Sequence, residues 1–291
     1  AGLELAGRRT EALLAAAMVA LLPEFSFRGM NISCDALVLT LCAATTWAMV
    51  RISRRGFSWP RGLLAAALLG LACLAKVTAF TLLPALALTI LLQPGLAISR
   101  RVRHLVVLAV VPLLLAPYLV RNQLLYGDPF AAAALARAVP GAIVHHSLLS
   151  AYFALPFPTL VVQSFVARFG WMNLSVPLPV LTLLLIPGLC AVAALPRALR
   201  IPEQRTLLLT LLTAPVASVI ALVGFNLSVS QAQGRYLFPA LPAMAVAAVL
   251  LYRQTPGWAR GRRLLVPALV GGYALLNLGI VLAVVRPAYG S

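Results

Sequence analysis

Nine apolar runs, separated by short polar or basic loops, make up most of this chain. They cover approximately residues 11–24, 35–50, 62–76, 78–93, 105–120, 177–196, 206–225, 237–252 and 264–285. A helix needs about 20 residues to cross the hydrocarbon core of a membrane, so the shorter runs must thin the bilayer or extend past their apolar residues. The pattern predicts an all-α, polytopic integral membrane protein with about nine transmembrane helices.

The apolar stretch from residue 62 to residue 93 is long enough to form either one helix or two. Arginines cluster on both sides of it: Arg51, Arg54, Arg55, Arg61, Arg100, Arg101 and Arg103. Cytoplasmic loops collect basic residues, so a stretch flanked by two such loops crosses the membrane an even number of times. We therefore predict two short helices that turn near Lys76.

With this hairpin, 16 of the 23 basic residues fall in loops on one side of the membrane and seven on the other. The asymmetry predicts that the chain begins on the cytoplasmic side and ends on the extracytoplasmic side. Its alanine-rich composition is typical of a bacterial protein, which predicts the bacterial cytoplasmic (inner) membrane.

Residues 1–291 are expected to form a single transmembrane domain. Helices 1–5 occupy 11–121, an extracytoplasmic loop occupies 122–176, and helices 6–9 occupy 177–285. Within the loop, "FAAAALARAV" predicts a short amphipathic helix. The stretch "LLSAYFALPFPTLVVQSFVARF" is interrupted at Pro156 and Pro158. We expect it to lie along the membrane interface rather than to cross.

Composition excludes several other classes of protein. The chain is 62% hydrophobic and 10% charged, which is far from a soluble domain. Its net charge of +17 comes from bases at helix ends, which predicts contact with anionic membrane lipids and no nucleic-acid partner. No metal site is expected, because the four cysteines lack ligand spacing. The sequence also carries no nucleotide-binding loop, dinucleotide fingerprint or serine hydrolase motif.

Two acids and three bases on the predicted outer side are candidates for chemistry. Glu24 and Asp35 each stand near the start of a helix, where a carboxylate could either stabilise the helix end or act as a catalytic acid or base. Lys76 is the only lysine, Arg121 ends one span and Arg235 begins another. The three bases either converge on one anionic group or each anchor their own helix end.

Five segments in this order resemble a known family: "LLPEFSFRGMNISCDAL", "LLGLACLAKVTAFTLLPALAL", "PYLVRNQLLYGDPF", "SFVARFGWMNLSVP" and "QGRYLFPALPA". They are similar to polytopic glycosyltransferases of the GT-C superfamily, and most of all to the DUF2142 group of bacterial predicted membrane proteins. The resemblance implies an enzyme that takes a sugar from a polyprenyl-phosphate donor at the outer face. No motif in the sequence indicates another cofactor.

The resemblance also implies roles for individual residues. Lys76, Arg121 and Arg235 would face the lipid phosphate, Tyr236 and Trp171 would line the sugar or lipid groove, and Asp35 matches an acidic residue of the second outer loop. GT-C enzymes carry their main catalytic acid in the first outer loop, between helices that would precede "LELAGRRT". This chain is therefore expected to lack that acid.

Three functions remain open at this point. The first is a GT-C-like glycosyltransferase, or a large part of one. The second is a non-catalytic GT-C-like subunit that packs against other integral membrane proteins of a larger complex. The third is a lipid or solute transporter, which the position of the polar residues at one face, rather than at mid-membrane, makes the weakest of the three.

Overall fold

The computed structural model describes residues 9–29, 33–131, 134, 137 and 146–289, and most of these residues are helical. The α-helices are α1 Arg9–Ala20, α2 Pro23–Gly29, α3 Asp35–Arg55, α4 Trp59–Ala75, α5 Leu83–Leu91, α6 Ile98–His104, α7 Val110–Tyr126, α8 Ala151–Ala154, α9 Pro156–Val166, α10 Leu178–Ala193, α11 Leu195–Ala198, α12 Pro202–Asn226, α13 Leu241–Tyr252, α14 Trp258–Ile280 and α15 Arg286–Tyr289.

Other regular segments join or interrupt these helices. Three short 3₁₀ segments are Val77–Leu82, Leu105–Ala109 and Gly234–Ala240, and a π-helical segment covers Val281–Val285. The strands β1 Arg168–Phe169 and β2 Leu174–Ser175 pair antiparallel in a two-residue ribbon.

Each predicted apolar run is helical in the structure, which confirms an all-α polytopic membrane fold. Within the described residues, six helical segments are long and apolar enough to cross a membrane. They are Asp35–Arg55, Ile98–Tyr126, Leu178–Ala198, Pro202–Asn226, Gly234–Tyr252 and Trp258–Tyr289. Helices α1 and α2 together form a seventh candidate, bent by 69°. The remaining predicted spans are the shorter apolar helices Trp59–Ala75 and Val77–Leu91.

The predicted turn at Lys76 is present. Lys76 is a single extended residue (φ −161°, ψ 125°) between α4 and the next 3₁₀ segment. Gly62 lies against Val107, and Gly70 lies against Leu114, so α4 runs parallel to the segment that contains α7. The intervening chain must therefore return to the end where α4 began. This arrangement places the two arginine clusters at the same end of the bundle, as the sequence predicts.

The bundle thus has two distinct ends. We call the end with Arg51 and Arg103 the arginine-rich end, and the end with Glu24 and Asp35 the acidic end.

A buried ionic cluster ties three helices together at the arginine-rich end. Glu11 of α1 is fully buried. Its Oε2 accepts hydrogen bonds from Arg253 Nη2 (2.7 Å) and Nε (3.0 Å), and its Oε1 accepts one from Trp258 Nε1 (3.3 Å). Arg262 Nη1 of α14 lies 3.7 Å from the same carboxylate. A buried charge is tolerated only with such partners, so this cluster fixes the start of α1 against α13 and α14.

The proline-interrupted stretch begins and ends at the acidic end. The hydroxyl of Tyr152 donates to Asn226 Oδ1 (2.8 Å), and the backbone N–H of Arg168 donates to Glu24 Oε2 (3.2 Å). Helices α8 and α9 therefore do not cross the bundle. The predicted helix "FAAAALARAV" lies mostly outside the described residues.

Candidate functional site

The centre of the candidate site is an ion pair between Asp35 and Lys76. Asp35 is the first residue of α3, and its Oδ1 accepts a hydrogen bond from Lys76 Nζ. The N-cap residue of this helix is Cys34, and no side chain forms a capping hydrogen bond. The Asp35 carboxylate therefore does not cap the helix but binds Lys76. The two side chains are 9% and 20% exposed. Because both side chains are largely shielded from water, each charge is stabilised mainly by the other.

Tyr236 stands between two cations of the site. Its ring centroid is 5.9 Å from Lys76 Nζ and 5.8 Å from Arg235 Cζ, within the range of cation–π attraction. Its hydroxyl donates to Gln231 Oε1 (2.5 Å). Arg235 Nε is buried and has no hydrogen-bond partner. The structure therefore brings Lys76, Arg235 and Tyr236 together and leaves a guanidinium donor unused.

A second carboxylate, Glu24, lies at the same end of the bundle. Glu24 is 1% exposed, and its Oε1 accepts a hydrogen bond from Arg28 Nε (2.8 Å). The Arg28 guanidinium also donates to the backbone oxygen of Gly170 (3.2 Å), which joins α2 to the loop before β2. Arg235 is close enough to Glu24 for an electrostatic interaction. Arg235 therefore belongs to the electrostatic surroundings of Glu24 and shares the Tyr236 ring with Lys76.

The side chains of Arg121 and Trp171 are exposed and form no hydrogen bond with the described residues of this cluster. Arg121 is exposed on α7, and among the described residues no hydrogen bond or ion pair joins it to Lys76 or Arg235. Trp171 is 96% exposed in the turn between β1 and β2. A fully exposed indole at the end of a membrane bundle is typical of an interfacial anchor.

One part of the chain is similar to a known family. Residues 4–120 match the family model described as dolichyl-phosphate-mannose-protein mannosyltransferase. The matched segment contains Glu24, Asp35 and Lys76 and ends one residue before Arg121. No curated protein and no solved structure matched the chain. The match covers less than half of the 291 residues and supports the resemblance to GT-C glycosyltransferases.

A hydrogen-bond network that the sequence analysis missed supports Tyr236. Asn226 Oδ1 accepts bonds from the Tyr152 hydroxyl and from the backbone N–H of Gln231 (2.9 Å), and Gln231 in turn accepts from Tyr236. The only signal in the sequence is the position of Asn226 at the end of an apolar run. The network fixes the ring of Tyr236 by linking α8, α12 and the chain before α13.

Among the described residues, the usual metal-binding side chains do not cluster. Nowhere among them do three or more His, Cys, Asp or Glu side chains come together in a group that could hold a metal ion. The charged groups that the site offers are two carboxylates, Asp35 and Glu24, and three nearby cations, Lys76, Arg235 and Arg28. Such an arrangement can bind an anion and accept a proton.

Proposed function

We propose that this protein is a GT-C-like membrane glycosyltransferase, or a large part of one, which transfers a sugar from a polyprenyl-phosphate donor. The observation that carries the proposal is the convergence of Asp35, Lys76, Tyr236, Arg235 and Glu24 at one end of the bundle. Cations held beside carboxylates at a membrane boundary suit a reaction in which a lipid phosphate leaves and a hydroxyl loses its proton.

In this proposal the donor phosphate binds between Arg235 and Lys76. The unused Nε of Arg235 provides a donor for a phosphate oxygen, and an arginine can offer a second, parallel N–H bond. Lys76 supplies a point charge close to the same Tyr236 ring. Both cations would then stabilise negative charge on the departing phosphate.

The reaction requires one bond to form and one to break. The hydroxyl oxygen of the acceptor attacks the anomeric carbon of the sugar, and the bond between that carbon and the phosphate oxygen breaks. The electron pair leaves with the polyprenyl phosphate, which Arg235 and Lys76 stabilise. A carboxylate takes the hydroxyl proton, and Asp35 and Glu24 are the candidates for this general base.

The finer assignments are also part of the proposal. We assign the chain to the DUF2142 group and place the acidic end at the extracytoplasmic face of a bacterial inner membrane. The excess of arginine at the opposite end supports this orientation. Arg121 and Trp171 would contact lipid headgroups at the rim of the groove, since both are exposed.

One observation favours a second candidate, a non-catalytic GT-C-like subunit of a larger membrane complex. Both carboxylates of the site already form ion pairs, Asp35 with Lys76 and Glu24 with Arg28. In a transfer reaction an acceptor hydroxyl would have to compete with these cations for the carboxylate oxygens. In this alternative the cluster stabilises the acidic end and the protein contributes surface to its partners.

The test is a turnover assay with the purified full chain in lipid nanodiscs and a hydroxyl acceptor, first a peptide that contains serine and threonine because the matched family model describes transfer to protein. Polyprenyl-phosphate-linked mannose is the first donor, chosen from the family match, and the product measured by mass spectrometry is sugar-free polyprenyl phosphate. We expect release of this lipid by the wild type. Asp35→Asn and Arg235→Gln should reduce the rate by about 10²-fold or more, as losses of a general base and of a charge-stabilising donor typically do.

The matched control is Arg286→Gln, which removes an exposed arginine at the same end of the bundle. It should leave the rate unchanged. If the wild type binds polyprenyl phosphate but releases none from a series of sugar-linked donors, the transferase proposal fails and the non-catalytic subunit takes its place.

A further inference from the structure

Four exposed arginines lie close together at the arginine-rich end of the bundle. They form two pairs, one at the end of α3 and one on α6: Arg54, Arg55, Arg100 and Arg103. The chain after α3 and the end of α6 meet at the rings of Phe57 and His104, which stack with a centroid separation of 3.9 Å and an interplanar angle of 12°. Phe57 follows Arg55 by two residues, and His104 follows Arg103 directly. The ring contact therefore holds the two pairs side by side.

Other arginines of this region have structural contacts of their own. Arg61 Nη1 donates a hydrogen bond to the backbone oxygen of Arg55 (3.0 Å), and Arg101 Nη1 donates one to that of Leu91 (3.1 Å), so both bind carbonyl groups at helix ends. Three side chains form no hydrogen bond or ion pair within the described part of the chain: Arg54, Arg100 and Arg103. Their guanidinium groups are available to a ligand.

The charge of this surface selects an anion. Glu11, the buried carboxylate of the same end, already binds Arg253 and Arg262. Glu203 is exposed at the start of α12 and forms no ion pair with the described residues. Charges of one sign that are held side by side repel one another. A ligand that carries negative charge relieves this repulsion.

The surroundings of the arginines indicate that the anion is a lipid headgroup. The pair on α6 lies in the helical segment Ile98–Tyr126, and only 17% of the most apolar window of this segment is buried in the bundle. Ile98 and Val102 of α6 are 68% and 55% exposed. Trp59 is half exposed and lies edge-on to the ring of His104. Exposed apolar side chains and a tryptophan beside arginines are typical of the border between headgroups and hydrocarbon. An acidic protein segment would leave these apolar side chains uncovered.

The arrangement in two pairs favours a headgroup with two phosphates. Arg100 and Arg103 are three residues apart on one helix, so their Cβ atoms are neighbours at about 5–6 Å and both side chains can reach one phosphate. Arg54 belongs to the other pair and can bind a second phosphate through its planar fork of N–H groups. Once the first phosphate is bound, binding of the second is intramolecular and gains affinity by its high effective concentration.

We propose that the surface formed by Arg54, Arg55, Trp59, Arg100 and Arg103 binds the headgroup of an anionic lipid with two phosphates, such as cardiolipin. Basic surfaces between membrane helices are a common setting for such headgroups. The site lies at the end of the bundle opposite the Asp35–Lys76 pair, and it is independent of the proposed transferase function.

The experiment measures lipid binding to the delipidated full chain by native mass spectrometry. Cardiolipin is compared with phosphatidylglycerol, which has one phosphate. The first variant combines Arg100→Gln with Arg103→Gln. Its matched control combines Arg197→Gln with Arg200→Gln, which removes two exposed arginines with the same spacing from another loop.

We expect the wild type to bind cardiolipin at least about tenfold more tightly than phosphatidylglycerol. The variant of Arg100 and Arg103 should weaken cardiolipin binding by about 25-fold, or about fivefold for each arginine. The control should bind as the wild type does. Arg54→Gln should weaken cardiolipin binding by about fivefold and leave phosphatidylglycerol unchanged, because a single phosphate binds at the pair on α6.

Three results would overturn the site. Equal affinity of the wild type for the two lipids would exclude recognition of two phosphates. An equal loss in the control would show a diffuse effect of net charge. The third concerns polyglutamate added to the protein in nanodiscs that contain cardiolipin. If the peptide binds there and its binding depends on Arg100 and Arg103, the surface belongs to an acidic protein and not to a lipid.

Discussion

Lys76 Nζ donates a hydrogen bond to Asp35 Oδ1 across 41 residues of sequence. This contact joins the turn after α4 to the first residue of α3, so it closes the acidic end of the helical hairpin that α3 and α4 form. Arg235 and Tyr236, from a segment more than 150 residues further along the chain, complete the same cluster. The site therefore depends on the packing of the whole bundle.

The first prediction concerns the Asp35–Lys76 pair itself. Asp35→Asn and Lys76→Met should each destabilise the protein by about 1–3 kcal/mol, because each leaves one charge without its partner in a partly buried place. The double variant should cost less than the sum of the single variants, with a coupling energy of about 0.5–3 kcal/mol. Thermal unfolding in detergent, followed by tryptophan fluorescence, measures all three. Additive losses would show that the pair contributes no mutual stabilisation.

The second prediction concerns the buried carboxylate at the arginine-rich end. Glu11→Gln should destabilise the protein by about 3–5 kcal/mol, because Arg253 and Arg262 would lose the charge that solvates them. Glu203→Gln is the control, since Glu203 is exposed in the first turn of α12 at the same end. Its effect should stay within about 0.5 kcal/mol. Similar melting temperatures for the two variants would contradict a structural role for the Glu11 cluster.

The third prediction concerns the contact between α9 and the chain before α13. A Cβ on Gly234 would lie 2.2 Å from the backbone nitrogen of Phe165 and 2.3 Å from the backbone oxygen of Val161. Gly234→Ala must therefore push α9 away and break the hydrogen bond from its N–H to Ser164 Oγ (2.7 Å). We expect faster proteolysis around α9 and a lower melting temperature.

A second glycine provides the control for this variant. Gly224 is exposed within α12, and a Cβ there meets nothing within 4 Å. Gly224→Ala should leave proteolysis unchanged and stabilise the helix by about 0.5–1 kcal/mol. If Gly234→Ala behaves in the same way, α9 does not pack on the chain at Gly234.

The fourth prediction concerns the two ends of the bundle. Cys34 is exposed at the acidic end, Cys42 and Cys73 are buried, and Ser99 is exposed at the arginine-rich end. In a Cys190→Ser background, a membrane-impermeant maleimide added to intact cells should label Cys34. The variant Cys34→Ser with Ser99→Cys should be labelled only after the cells are opened. Labelling of both positions in intact cells would contradict the proposed orientation.

Much of the fold follows from the sequence, because membrane helices are encoded locally. Apolar runs predict the spans, and the arginine clusters around residues 51–61 and 100–103 require the return at Lys76. Boundaries were harder to predict. The span expected at 105–120 extends from Ile98 to Tyr126, since arginine is a good helix former and its charge does not end a helix.

The candidate site was predicted only in part. Lys76, Arg235 and Asp35 stand out because charges near apolar runs are costly. Their pairing could not be predicted, since it depends on how α3, α4 and the chain before α13 pack. The position of Asp35 in the sequence is typical of a carboxylate at a helix end, but its side chain binds Lys76. The hydrogen bonds through which Gln231 and Asn226 hold Tyr236 have almost no signal in the local sequence.

The return of the chain at Lys76 has a consequence for how the protein is made. Its two arms, Trp59–Ala75 and Val77–Leu91, are each shorter than the roughly 20 residues of a self-sufficient span. Neither arm alone is long enough to span the hydrocarbon core at low cost. Only a pair of crossings leaves both ends of this segment on the same side of the membrane. We therefore expect the two arms to enter the membrane together, packed against α3.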